Sequence, residues 1–154
     1  MAEKILIPLD GSKVGEAALE TVKNHITKFS PDIKVEITLL QVLTSLSHYI
    51  VAGEASVQVL YTPDELEQIK KAAADYLLKA GEPLAKLNAA INVKVAAGSA
   101  AEEIIKTADE INADLIAMST HGRSGISRWA LGSVTDRVLH SAGRPVLVVR
   151  ASKQ

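Results

Sequence analysis

The chain has 154 residues, 47% of them hydrophobic and 23% charged, which is typical of a single folded domain, here residues 1–154. Its 17 basic and 18 acidic side chains leave a formal charge of -1, so no net field attracts nucleic acid or an anionic membrane. The absence of cysteine excludes disulfides, thiolate metal sites and thiol nucleophiles, and it favours a reducing compartment.

Neither a membrane span nor a secretory leader is predicted. The first apolar run is interrupted by Pro8 and Asp10, and no later run reaches the roughly 18 apolar residues that a span requires. We therefore expect a cytoplasmic protein.

Compact apolar runs alternate with stretches of helical spacing, which predicts an α/β fold built on a parallel sheet. A first strand is predicted over residues 4–9, and Ser12 is predicted to cap the helix that follows. A second strand is predicted over residues 35–42. The segment 43–61 shows no dominant period, and only residues 57–60 are predicted to be extended.

A long helix is predicted to begin after Thr62, with Pro63 in its first position. Thr62 and Glu65 have the spacing of a capping box, in which each side chain binds the backbone amide of the other residue. Near the end of this helix Gly81 and Pro83 predict a kink.

The second half of the chain repeats the alternation of strand and helix. A third strand is predicted over residues 93–96, and Ser99 with Glu102 predicts another capping box for the next helix. The apolar run 114–118 predicts a fourth, central strand, and residues 146–149 predict the fifth.

The polar stretch 119–135 holds the clearest candidate site, because open α/β sheets bind ligands where a buried strand runs into a helix. Gly122, Gly125 and Gly132 allow backbone amides to approach a phosphate without an intervening Cβ, although glycines in a surface turn have the same spacing. A helix is predicted to begin near Gly132, and its free amides favour an anion. The other candidate contacts here are Met118, Ser119, His121, Arg123, Arg128, Ser133, Val134 and Thr135.

This stretch resembles the signature of the universal stress protein (UspA-like) family, in which Gly-x-x-Gly, nine residues and Gly-Ser or Gly-Thr bind the ribose and phosphates of ATP. Gly122 matches the second glycine, residues 123–131 are the nine, and Gly132-Ser133 is the closing pair. The first position holds Ser119, where the ATP-binding members usually have glycine.

The resemblance extends along nearly the whole chain. Residues 5–12 are similar to the family's opening strand and loop, residues 39–42 to its second strand, and residues 145–149 to its last strand. It implies an adenine nucleotide alpha hydrolase-like fold with four helices and a five-stranded parallel sheet in the order 3-2-1-4-5. The binding residues that it adds are Pro8, Leu9, Asp10, Val42 and Gly98.

The ligand that the resemblance implies is ATP or AMP. Adenine would lie against Pro8 and Val42 and near Asp10, with Mg²⁺ or Mn²⁺ held through the phosphates. Asp10 at a strand end also suits a simple turn residue, and His121 has no placed partner for acid–base chemistry. The resemblance further implies a homodimer through the last strand, Val146-Leu147-Val148-Val149.

These patterns favour a nucleotide-dependent regulatory or stress-response module that is at most a slow ATPase. One alternative is a nucleotidyl- or phosphoryl-transferring enzyme on the same scaffold, although no base paired with a nucleophile is evident. The other is a dimeric interaction protein that does not bind nucleotide, which Ser119 favours.

Overall fold

The computed structural model describes residues 2–121 and 131–151, without the side chain of His121. Its strands, in chain order, are β1 (Ala2–Pro8), β2 (Lys34–Leu43), β3 (Ser47–Ala52), β4 (Ala55–Leu60), β5 (Ala89–Ala97), β6 (Leu115–His121) and β7 (Val146–Ala151). Its helices are α1 (Ala17–Ile26), α2 (Pro63–Ala85), α3 (Ala100–Glu110) and α4 (Ser133–Ser141).

Five of these strands form one parallel sheet in the order β5-β2-β1-β6-β7. Counted among themselves in chain order, these five strands stand in the order 3-2-1-4-5, as the family resemblance implied. β1 and β6 are therefore neighbours although more than a hundred residues separate them along the chain. The α/β fold and the parallel sheet predicted from the sequence are confirmed.

The sheet is covered on both faces, which explains why its central strand is apolar without alternation. On one face Ile5 and Ile7 of β1 pack into a core with α1 and α2, and on the other Leu6 packs with residues of α3 and α4. All three side chains are fully buried. Each helix pair thus has its own hydrophobic core, and β1 contributes to both.

The segment after β2 forms a hairpin that the sequence analysis did not predict as such. β3 pairs antiparallel with β4 through a tight turn at Gly53, whose φ is 66°. The extended residues predicted at 57–60 lie in its second strand, and its first strand was not predicted. Tyr49, Val51 and Leu60 are 68%, 73% and 73% exposed. Because both faces of the hairpin meet solvent, its sequence lacks the alternation that identifies a half-buried strand.

The predicted start of α1 was wrong. Ser12 does not cap this helix, which begins at Ala17 after a run of turns with Glu16 in the cap position. The Ser12 hydroxyl instead donates to Asp10 and accepts from the Gly15 amide. Serine favours local backbone contacts wherever a turn presents them, and here those contacts shape the loop after β1.

The start of α2 follows the prediction. Thr62 Oγ1 accepts from the Glu65 amide at 3.2 Å, and the Thr62 amide donates to Glu65 Oε2 at 2.7 Å. The hydrogen bond from the Thr62 backbone holds the pKa of Glu65 below its usual range. The helix continues through Pro83 to Ala85. Although α2 is 23 residues long, no helix in the described ranges is long and apolar enough to cross a membrane.

The second predicted capping box was wrong. Ser99 occupies the N-cap position of α3, but its side chain makes no capping hydrogen bond. Glu102 lies 3.1 Å from the Arg137 guanidinium of α4. A cationic partner on the neighbouring helix therefore holds the carboxylate that the sequence pattern assigned to the cap.

The two helix starts form a matched test of capping. Thr62→Ala should lower the free energy of unfolding by about 1 kcal/mol, because it removes the acceptor for an orphan amide. Ser99→Ala should change it by no more than about 0.5 kcal/mol, since it removes no side-chain bond. Urea denaturation followed by circular dichroism measures both values. Equal losses would contradict the assignment of the two caps.

Candidate functional site

A cleft of about 560 Å³ opens at the carboxyl-terminal edge of the parallel sheet, where β1, β2 and β6 end. This size is in the range of small-molecule sites. Its lining comprises Pro8, Leu9, Asp10, Gly15, Leu40, Gln41, Val42, Leu43, Thr44, Ser45, Ala100, Ile104, Met118, Ser119, Val134 and Thr135.

Apolar side chains form much of the lining. Leu40 and Val42 come from β2, Met118 from β6 and Ile104 from α3, and all four belong to the core on the α3 and α4 face of the sheet. The cleft is therefore an extension of that core to the surface. Such a wall suits a flat apolar ring, whereas the polar groups around it would fix the orientation of the ring.

The loop after β1 places a carboxylate at the cleft. Asp10 is exposed, and its Oδ1 accepts from the Ser12 amide at 2.9 Å and from the Ser12 hydroxyl at 2.6 Å. A Cβ added to Gly15 would lie 2.7 Å from the same Oδ1, so a larger residue here would displace the Asp10 carboxylate. These contacts leave Oδ2 of Asp10 free of hydrogen bonds to any described residue.

The opposite side of the cleft is the start of α4. Gly132 is its N-cap with φ at 88°, and the first hydrogen bond inside the helix runs from the Asp136 amide to the Gly132 carbonyl. The amides of residues 133, 134 and 135 therefore have no acceptor within their own helix. Together with the positive end of the helix dipole, they favour an anion.

A buried hydroxyl holds the segment that leads into α4. Thr120 is 6% exposed, and its Oγ1 donates to the Leu131 carbonyl at 2.6 Å. Because adjacent residues of a strand point to opposite faces, Ser119 binds elsewhere. Its hydroxyl donates to the Gly15 carbonyl at 2.9 Å and accepts from the Ala18 amide at 2.7 Å. The last residues of β6 thus hold both polar sides of the cleft.

Eight of the predicted residues that the structure describes line the cleft, and Gly98, Gly132 and Ser133 lie beside it. Gly98 is absent from the lining, and its amide donates to the Leu43 carbonyl beside the cleft. Gly132 and Ser133 lie at the start of α4, next to the lining residues of that helix. The predicted residues in the lining itself are Pro8, Leu9, Asp10, Val42, Met118, Ser119, Val134 and Thr135.

Five predicted contacts fall partly or wholly outside the described residues. Gly122, Arg123 and Gly125 lie outside them, as does the side chain of His121, although the backbone of His121 pairs with Ala151 in the sheet. Arg128, the further cation suggested for this stretch, also lies outside them. The glycine pattern before Gly132 therefore stays a prediction.

Sequence reasoning missed several lining residues because they lie on other elements. Ala100 and Ile104 approach the cleft from α3, and Thr44 and Ser45 approach from the segment between β2 and the hairpin. The place of Ile104 at the cleft depends on α3 packing against the sheet with its first turns beside the cleft, which no local pattern indicates.

A second cleft, of about 540 Å³, lies between α1 and α2. Most of its charged side chains are already paired, as in Lys13 with Glu16 at 3.3 Å and Lys23 with Glu20 at 3.7 Å. The Tyr76 hydroxyl also donates to Glu16 at 3.1 Å, and burial, followed by the charge of Glu16, raises the pKa of that phenol. The helix start at this cleft carries the Glu16 carboxylate in its N-cap position, which disfavours an anion there, so the cleft at the sheet edge is the candidate site.

The fold and the cleft can now be compared with known proteins. A model of the universal stress protein family matches residues 1–150. The chain belongs to the universal stress protein family. Universal stress protein MJ0531 of Methanocaldococcus jannaschii is 32% identical over 152 residues, which are 99% of this chain and 84% of that protein.

Solved structures agree with the fold of this universal stress protein. Hypothetical protein MJ0577 of Methanocaldococcus jannaschii has a TM-score of 0.71 and 25% identity, covering 99% of this chain and 98% of that chain. A universal stress protein family structure from Arabidopsis thaliana, solved with AMP bound, has a TM-score of 0.64. It is 13% identical and covers 97% of this chain and 92% of that one, so it supports the fold alone.

Two buried threonines test the bond between Thr120 and Leu131. Thr120→Val should lower the free energy of unfolding by about 1 to 3 kcal/mol, because it leaves a carbonyl without its donor. Thr107 of α3 is the control, since it is fully buried and its Oγ1 has no hydrogen-bond partner among the described residues. Thr107→Val should be neutral or stabilising. Thermal and urea denaturation would contradict the assignment if Thr107→Val cost as much as Thr120→Val.

Proposed function

We propose that this universal stress protein binds ATP or AMP in the cleft at the sheet edge and acts as a nucleotide-dependent regulatory module. The observation that supports this most is the pairing of an apolar wall with two polar ends, the Asp10 carboxylate and the start of α4. A nucleotide has the same three parts, which are a flat base, a hydroxylated sugar and an anionic phosphate chain. Membership of the universal stress protein family supports the same ligand class, and one structure of the same fold was solved with AMP bound.

The base and the sugar are assigned from the lining. Adenine lies against Val42 and Pro8, where Met118 and Ile104 complete an apolar slot. The ribose lies over Asp10, whose Oδ2 accepts from a sugar hydroxyl while Oδ1 stays bound to Ser12. A carboxylate accepts such a bond strongly because it is charged.

The phosphates lie over Gly132 and Ser133, where the free amides of α4 converge. Glycine adopts the positive φ of Gly132 without strain, whereas a residue with a Cβ is strained there. No heavy atom of the described residues lies within 4 Å of a Cβ built at this position. Mg²⁺ or Mn²⁺ would be held mainly by phosphate oxygens and water. The described residues contain no group of three or more His, Cys, Asp or Glu side chains that could hold a metal ion.

The regulatory output is assigned to the hairpin of β3 and β4. Thr44 and Ser45, which precede this hairpin, line the cleft, so a bound nucleotide contacts the segment that carries it. The hairpin presents exposed Tyr49, Val51 and Leu60 to solvent. We infer that nucleotide binding changes the position of the hairpin relative to a protein partner in the cytoplasm.

The proposed dimer forms through β7. This strand is at one end of the sheet order, and its residues 146–149 are partly exposed. An unpaired strand edge rich in valine and leucine associates readily unless it is covered. Pairing with the same strand of a second copy would cover it.

The interaction-only alternative depends on Ser119, which replaces a signature glycine. Its hydroxyl is bound to Gly15 and Ala18, on the side of β6 that faces the loop before α1. The serine is therefore accommodated by its own hydrogen bonds, and its presence does not argue against a nucleotide in the cleft.

Titration with ATP tests the proposal. At a free ATP concentration 100 times the dissociation constant, the free energy of unfolding should rise by about 2.7 kcal/mol. Gly132→Val should weaken binding about tenfold or more, because a branched side chain enters the phosphate position and costs a charge-assisted hydrogen bond. Gly143→Val is the matched control, since Gly143 also has a positive φ, at 60°, with open space around a Cβ, and is absent from the lining.

Isothermal titration calorimetry measures these affinities. Gly143→Val should keep the affinity of the wild type while losing a comparable amount of stability from backbone strain. If the wild type gives neither heat nor a higher melting temperature with ATP or AMP, the interaction-only alternative replaces the proposal.

The enzyme alternative is tested by turnover. Asp10 is the sole acidic side chain among the described residues of the lining, and a phosphoryl-transfer site ordinarily combines a base with metal-binding acids. We therefore expect ATP hydrolysis to stay below about 1 s⁻¹, the low end of ordinary enzymes, with Mg²⁺ or Mn²⁺ present. Faster phosphate release that disappears in Asp10→Ala would make the protein an enzyme.

A further inference from the structure

A chain of hydrogen bonds connects Asp10 with the end of β6. Ser119 Oγ donates to the Gly15 carbonyl at 2.9 Å, and the Gly15 amide donates to Ser12 Oγ at 3.1 Å. Ser12 Oγ then donates to Asp10 Oδ1 at 2.6 Å. The Ala18 amide donates to Ser119 Oγ at 2.7 Å and closes the chain on the first turn of α1.

The direction of each bond in this chain is determined. Both serine hydroxyls have one proton, and each accepts from a backbone amide and donates to an oxygen. Asp10 Oδ1 accepts two hydrogen bonds, which fix the orientation of the carboxylate. Oδ2 is the acceptor left for a ligand.

Gly15 lies directly against the Asp10 carboxylate. A Cβ at this residue would lie 2.7 Å from Asp10 Oδ1 and 3.4 Å from Ser12 Oγ. Gly15 therefore sits between the carboxylate on one side and Ser119 on the other. If the hydroxyl of Ser119 is removed, Gly15 loses its anchor to the sheet, and the loop that orients Asp10 depends on Ser12 alone.

We propose that Ser119 is a positioning residue for sugar recognition, holding Gly15 so that Asp10 presents Oδ2 to a ribose hydroxyl. This inference rests on the proposed nucleotide site. It gives the serine a chemical purpose at a position where the family signature has glycine, which has no hydroxyl to donate. A general loss of stability would weaken every ligand equally, whereas a loss of this positioning weakens only ligands that carry the hydroxyl.

The experiment compares ATP with 2′-deoxy-ATP and 3′-deoxy-ATP by isothermal titration calorimetry. In the wild type, at least one deoxy analogue should bind about tenfold more weakly than ATP, since a hydrogen bond to a charged group is lost. In Ser119→Ala this ratio should fall towards one, because ATP binding weakens while binding of that analogue is unchanged. Ser12→Ala, which breaks the chain in the loop, should lower the ratio in the same way.

Two controls separate positioning from a general effect. Thr21→Val removes another hydroxyl bond of α1, from Thr21 Oγ1 to the Ala17 carbonyl at 3.2 Å, and should keep the wild-type ratio. In an Asp10→Ala background, adding Ser119→Ala should cause no further loss of ATP affinity, because Ser119 acts through Asp10.

The outcomes are distinguishable. An unchanged ratio in Ser119→Ala and Ser12→Ala, which means that ATP and its deoxy analogues weaken equally, would overturn the inference. A wild-type ratio of one for both analogues would also overturn it. Either result leaves the nucleotide site intact. Failure of the wild type to bind any of the three ligands would overturn the proposed function itself.

Discussion

The central constraint in this protein is the position of β1 between β2 and β6 in a parallel sheet. Parallel pairing brings the carboxyl ends of all three strands to one edge. The helix that leaves β1 packs on one face of the sheet, and the helix that follows β6 packs on the other, because α1 and α4 belong to different cores. After these two neighbouring strands the chain therefore turns towards opposite faces of the sheet, and the cleft lies between the two connecting segments. The location of the cleft follows from topology before any particular side chain is considered.

Two adjacent hydroxyls at the end of β6 then shape this space. Ser119 binds the loop before α1, and Thr120 binds the segment before α4, because adjacent residues of a strand face opposite sides. The Asp10 carboxylate and the α4 amides are thus held relative to one strand. In the nucleotide complex that we propose, this arrangement separates an acceptor for the sugar from donors for the phosphates, with an apolar wall between them.

Local patterns succeeded where the interaction they describe lies within a few residues. The capping box at Thr62 involves only the first turn of α2, so nothing distant competes with it. The box at Ser99 failed because Arg137, on another helix, lies within ion-pair distance of Glu102. Serine is a common N-cap residue, but the Ser12 hydroxyl binds Asp10 and Gly15 in the turn before the helix. The hairpin lacked a signal because neither of its faces is buried, and hydrophobic periodicity reports burial.

The sequence by itself determined the fold class, the order of the five sheet strands and four helices along the chain, and the family, because apolar runs buried on both faces and a signature motif are local properties of the chain. It also identified Asp10, Val42, Ser119 and the start of α4 as parts of one site, although mainly through resemblance. Only the tertiary structure decided that Ile104 and Thr44 share that site, that Gly98 stays beside it, and that Ser119 is anchored to Gly15 across 104 residues of chain. The physical reason is that such contacts form between elements far apart along the chain, and no local spacing specifies where separate elements will meet.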